Sequence, residues 1–138
     1  MAELEVFLVT PVRQLWAGKA TMVIARGTEG EVGILAAHAP MLIRLGIGPL
    51  RIQHDGEHWE RAVVDGGFLH VTSEGDTTRV DVLADGADLE ADIDKAAAER
   101  AKAEAEQRLD QADLIEVARR HAIEALARAE ARLDLIGG

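Results

Sequence analysis

A chain of 138 residues with a formal net charge of -10 and no cysteine is long enough for one ordinary domain, or for a small domain with an appendage. That charge, with a pI near 4.9, repels phosphate backbones and anionic headgroups, which argues against nucleic-acid partners and against direct binding to a membrane surface. Lacking cysteine, the chain has no disulfides, thiolate nucleophiles or zinc-thiolate sites, so any catalysis must use other groups.

No apolar run approaches the roughly 20 residues that span a bilayer, so direct membrane insertion is not expected. The opening MAELEVFLVT has neither the basic region of a signal peptide nor the bias of a transit peptide, and the chain reads as cytosolic. Aromatic residues make up only 3% against 48% apolar, so the core must be aliphatic, with Phe7, Trp16, Trp59 and Phe68 expected as its few large anchors.

In chain order, LEVFLVTP, TMVIARG, LRIQHDG, ERAVVDGG, FLHVTSEGD and RVDVLADG alternate apolar and polar residues and close on turn residues, which predicts short strands. Asp55-Gly56 and Gly75-Asp76 suit tight turns between them. Regular spacing of short strands favours a β-sandwich or flattened barrel over residues 1–84.

Composition changes at LADGADLEAD, and after Gly86 neither glycine nor proline recurs until Gly137. Alanine, glutamate, lysine, arginine and leucine dominate, which predicts helix. Two helices are expected, over about 88–109 with Asp88 or Asp92 as N-cap, and over 114–136 with Asp113 and Glu116 spaced as a capping box. Their short connection predicts an antiparallel hairpin, so the fold class is α+β by segregated halves, residues 1–84 and 85–138. Ile115, Ala118, Ala122, Leu126, Ala129, Leu133 and Ile136 form one stripe on the second helix. The matching stripe on the first, Ile93, Ala97, Ala101, Ala105 and Leu109, is mostly alanine. A methyl contributes about 0.8 kcal/mol against about 1.5 to 3 for a leucine, so the hairpin is expected to be modestly stable and able to exchange partners.

The glycine-dense run GTEGEVGILAAHAPML invites a comparison with phosphate-binding loops, and the comparison fails: the spacing is wrong, no helix follows, and Glu29 and Glu31 stand where phosphate would lie. His38 reads as a loop histidine before Ala39-Pro40. His54 and His58 flank the Asp55-Gly56 turn and read as an exposed hairpin rather than a metal chelate. Asp65-Gly66-Gly67 lacks a nucleophile and Thr72-Ser73 lacks a base, so no catalytic, cofactor or metal site is expected.

EGEVGIL, HAPML, GPLRI, GGFLHV and VDVLAD, in that order and followed by an alanine-rich helical hairpin, resemble the epsilon subunit family of the rotary F-type ATP synthase, bacterial type. The resemblance spans essentially the whole chain. It implies a non-catalytic central-stalk subunit that binds the gamma subunit and the c-ring and reaches the catalytic head through an extended hairpin. It further implies a place at the cytoplasmic face of the bacterial membrane, coupling of proton flow to ATP synthesis, and restraint of ATP hydrolysis. Glu29, Gly30, Glu31 and His38 match the family loop that faces the ring and neighbouring stalk.

Two departures accompany the match. Ala36-Ala37 stands where many relatives have Pro-Gly, which predicts a less kinked corner. Some bacterial relatives bind ATP between the helices. Here Ile93, Asp94 and Ala98 match that motif, as do Arg128 and Arg132 on the second helix, but Ala97 replaces the motif arginine and Glu104 another. The alternative, an ATP-sensing module whose hairpin closes on nucleotide, therefore rests on Asp94, Arg128 and Arg132, with weak or absent binding expected.

Overall fold

Eight strands and two helices make up the molecule, described over residues 3–137 by a computed structural model. The strands are β1 (Leu4–Val9), β2 (Gln14–Ala20), β3 (Met22–Gly27), β4 (Gly30–Leu35), β5 (Met41–His54), β6 (His58–Glu74), β7 (Thr77–Ala84) and β8 (Ala87–Leu89). A 3-10 turn over Glu90–Asp92 leads to α1 (Lys95–Leu109) and α2 (Glu116–Gly137).

Alternation dictates the burial. β1 buries Leu4, Val6 and Leu8 and turns Glu5 outward, and β7 buries Thr78, Val80, Val82 and Ala84 in the same rhythm. The hydrogen-bonded order is β2-β1-β7-β6-β5-β3-β4, with β8 added beside β6, and it folds into a sandwich around a single core. β1 and β7 run parallel, and the other pairs are antiparallel. Leu50, Ile52, Leu69, Val23 and Ile34 complete that core, each burial contributing about 1.5 to 3 kcal/mol.

Three of the four expected aromatic anchors lie elsewhere. Trp59 and Phe68 are each 41% exposed and Phe7 is only partly covered, whereas Trp16, itself partly covered, packs against the edge of the core. Register explains it: Phe7 falls between buried Val6 and Leu8, and Phe68 precedes buried Leu69, so both point to the outer face. The core is wholly aliphatic.

The runs ERAVVDGG and FLHVTSEGD are one strand, β6, rather than two. Gly66 and Gly67 adopt φ of 76° and 114° and bend the strand where it stops pairing with β8 and begins pairing with β7. A Cβ on Gly67 would lie 2.1 Å from the Leu83 carbonyl oxygen, so only glycine fits. The Asp55-Gly56 turn forms as its sequence predicts, with left-handed φ of 46° and 85°.

The first helix begins later than its composition suggests. Ala87–Leu89 pairs with Ala62–Val64, and Asp88 and Glu90 bind arginines, so neither Asp88 nor Asp92 is the N-cap. Asp94 is the cap, accepting a hydrogen bond from the Ala97 N–H at 3.1 Å. α2 likewise starts at Glu116, its first bond running from the Arg119 N–H to the Ile115 carbonyl, which puts Ile115 rather than Asp113 at the helix boundary.

Ala98 and Ala105 of α1 meet Ala122 and Ala129 of α2 in a buried alanine seam. The first helix thus turns Ala98 inward where the periodic stripe placed Ala97, and Ile115 at the head of the second stripe is exposed. α2 in turn lies across β5 and β6, burying Leu135 and covering Val63.

Candidate functional site

The acidic turn is built by β3 and β4. Gly27 and Gly30 form its last ladder pair, Gly30 adopts φ 132°, and Thr28 N–H donates to the Arg44 carbonyl, which presses the turn against the start of β5. Glu29, Gly30 and Glu31 line a depression of about 290 Å³ with Leu42, Ile43 and Arg44. Glu31 is partly occupied at home, 3.3 Å from Arg51 Nη2, whereas Glu29 has no ion-pair partner among the described residues. An exposed carboxylate, an arginine that stacks over Phe68 and exposed Leu42 suit a polar docking surface.

His38 does not line that depression. It lies on the corner joining β4 to β5, its Nδ1 donating to the Ala39 carbonyl at 2.7 Å. The corner is sharply kinked despite lacking glycine: Ala37 adopts φ 67°, and its N–H donates to the nearly buried Thr78 hydroxyl at 2.8 Å. The corner expected to be less kinked for having Ala36-Ala37 is thus bent, with the backbone strain falling on an alanine.

The arginines of α2 are latched to the sandwich. Arg132 Nε–H donates to Asp88 Oδ2 at 2.8 Å, and Arg128 Nη1 lies 3.5 Å from Asp65 Oδ2. Below them Arg61 binds Glu90 with two contacts, at 2.8 and 3.2 Å. Arg132 and Asp94 do share a cavity of about 370 Å³, with Asp88, Asp92, Ala97 and Ala101. Three carboxylates facing one guanidinium give that cavity a negative field, and Asp94 is already engaged as the helix cap. Arg128 and Glu104 lie outside its lining.

The remaining sequence candidates are dispersed. His54 and His58 face each other across the β5–β6 hairpin with ring centroids 6.3 Å apart, and His54 packs on Trp16. On the outer face of the β1–β7 pair Arg79 stacks over Phe7 and donates twice to Asp81, and that hydrogen bonding raises its pKa above the ordinary value. Sequence reasoning missed Asp65 and Asp88 as latch partners, because an aspartate within a strand carries no local sign of an arginine more than forty residues away.

The geometry is that of a two-part protein, a sandwich with an acidic turn at its rim and a helical hairpin held to its flank by arginine–aspartate pairs. The family model described as "ATP synthase, Delta/Epsilon chain, beta-sandwich domain" matches residues 3–90, and "ATP synthase, Delta/Epsilon chain, long alpha-helix domain" matches residues 91–137. The chain belongs to this family, and like the epsilon chains it resembles it is a non-catalytic subunit. It is 42% identical over 109 residues to the ATP synthase epsilon chain of Brevibacillus brevis, covering 79% of this chain and 80% of that one. The epsilon chain of Mycobacterium tuberculosis is 44% identical over 101 residues, covering 72% and 80%. Among solved structures, a chain of the Euglena gracilis mitochondrial ATP synthase OSCP/F1/c-ring assembly superposes with a TM-score of 0.84 at 27% identity, covering 100% of this chain and 83% of that one. A chain of the Tetrahymena thermophila central stalk and c-ring shares the fold, with a TM-score of 0.57 at 17% identity over 96% of both.

Proposed function

We propose that the chain is a rotor subunit of the central stalk, peripheral at the cytoplasmic face of a bacterial membrane. Its sandwich ties the c-ring to the gamma subunit, and its hairpin, released from the sandwich, extends along gamma towards the catalytic head and restrains ATP hydrolysis. Family membership and the Euglena gracilis F1/c-ring neighbour support the stalk position, and no helix among the described residues is long and apolar enough to cross a membrane. The acidic turn supplies the ring-facing contact, with Glu29, Gly30, Glu31 and His38 as its proposed surface.

The observation that carries the regulatory part is the thinness of the hairpin's attachment. Of the three residues that α2 fully buries, Ala122 and Ala129 face α1 and only Leu135, about 1.5 to 3 kcal/mol, lies against the sandwich; the rest of that face is half-buried, and two ion pairs about one-third exposed contribute up to about 1 kcal/mol each. A partner surface of ordinary size can replace that much interaction. The sandwich, by contrast, holds a continuous aliphatic core.

Truncation after Asp92 tests the reading, since it removes both helices but keeps β8 and the Arg61–Glu90 pair. Assembly of the complex should persist and its ATPase activity should rise. Hydrolysis unchanged from the full-length complex would leave the hairpin without a restraining role.

A further inference from the structure

The chain is strongly acidic, with 15 lysine and arginine residues against 25 aspartate and glutamate, yet three of its arginines converge on one cleft. β3, β5 and β6 turn Arg26, Arg51 and Arg61 to the face that α2 covers, and together they line a cavity of about 290 Å³ beneath the last turns of that helix. Register makes the convergence costly: Arg51 stands directly opposite Arg61 on the neighbouring strand, a like-charge pairing that destabilises a sheet. Gly48 makes room for the third, because a Cβ there would lie 2.8 Å from Arg26 Cδ.

The carboxylates nearby do not exhaust these donors. Glu90 takes two contacts from Arg61, Glu31 takes one from Arg51, and Arg26 has no carboxylate partner among the described residues. A guanidinium carries five N–H groups, so all three arginines retain unspent donors, Arg26 and Arg51 the most. Pro49 and Leu135 provide apolar walls on part of the lining, while the cleft stays open to water, with Arg26 exposed and the Arg51 and Arg61 side chains 40% and 36% exposed. The volume is several times a water's share of about 30 Å³.

We propose that this cleft binds a small phosphate-class oxyanion, either free or as the phosphoryl end of a small molecule, with Arg26 and Arg51 as its principal donors. Asp134 is the one carboxylate in the lining and opposes the ligand, so its charge limits affinity. Because the arginines belong to the sandwich and Leu135 to α2, the cleft is complete only when the hairpin is docked. The bound anion therefore favours the docked state; this linkage, unlike the binding itself, rests on the proposed release of the hairpin.

The test is a titration of the full-length, nitrogen-15-labelled chain with inorganic phosphate, chloride being adjusted to hold ionic strength constant, read at the arginine Nε–H resonances. Those of Arg26 and Arg51 should shift saturably while Arg13 stays still, Arg26→Gln and Arg51→Gln should each weaken binding by about tenfold or more, and Asp134→Asn should tighten it. Glycerol 3-phosphate shifting the same resonances would identify the phosphoryl end as sufficient. Shifts spread alike over all arginines, or an Arg26→Gln protein that titrates unchanged, would overturn the site. Amide exchange along α2 is the second readout: protection should rise as phosphate saturates. Saturable binding without that rise would keep the site and count against the detachable hairpin.

Discussion

Ala37 and Gly67 show opposite uses of a constrained backbone position. At φ 67° an alanine carries roughly 1 to 2 kcal/mol of steric cost, partly offset here by the hydrogen bond its N–H makes to Thr78. Ala37→Gly relieves that cost and adds about 0.5 to 1 kcal/mol of unfolded-state entropy. The expected outcome is a net stabilisation of about 0.5 to 1 kcal/mol, seen as a raised urea midpoint with unchanged slope. A lowered midpoint would mean that the alanine methyl makes packing contacts that outweigh the strain. Gly67→Ala should do the reverse and far more strongly, since its new Cβ would collide with the Leu83 carbonyl at the pair that begins the β6–β7 ladder.

The two helices are joined by methyl groups, and that sets how they respond to change. Ala98, Ala105, Ala122 and Ala129 are each at most 3% exposed, so the helix axes approach closely and leave no space for a longer side chain. Ala122→Leu should loosen the hairpin by about 1 to 3 kcal/mol while leaving the sandwich intact. Amide exchange would register this as lost protection in α1 and α2 with β1, β6 and β7 unaffected; equal loss in the sandwich would show that the two parts unfold as one unit. The helices were legible in the sequence because alanine and glutamate dominate a stretch free of glycine and proline, and the strands because apolar residues alternate. What escaped was tertiary. Asp88 carries every local sign of a helix cap, but pairing of Ala87–Leu89 with β6 and the reach of Arg132 hold it in a strand. The acidic turn was visible as a glycine-spaced motif, whereas the use of Glu31 by Arg51, twenty residues along the chain, depended on strand order.

Charge is distributed so that the two ends of the molecule ask different things of their surroundings. At the hairpin flank the arginines Arg128 and Arg132 are neutralised by Asp65 and Asp88, which keeps the docked form self-contained. At the rim, Glu29 remains unpaired among the described residues and protrudes from a turn that the β3–β4 ladder and the Thr28–Arg44 hydrogen bond hold in place. A fixed, unspent charge on a rigid support favours recognition of a basic partner surface, because little entropy is lost on contact. The proposed ring contact then makes Glu29 the more informative of the two glutamates, since Glu31 cannot be altered without freeing Arg51. Glu29→Lys exchanges an attraction of up to about 1 kcal/mol for a repulsion of similar size, which weakens a single rim contact by up to about thirtyfold. ATP-driven proton pumping by complexes carrying Glu29→Lys should fall, and fall further at low ionic strength, where screening is weakest. The folded stability of the isolated chain should stay within about 0.5 kcal/mol of the parent, as for an ordinary surface substitution. Pumping at the parental level across the salt range would remove the acidic turn from the ring interface and leave the sandwich faces as the coupling surface.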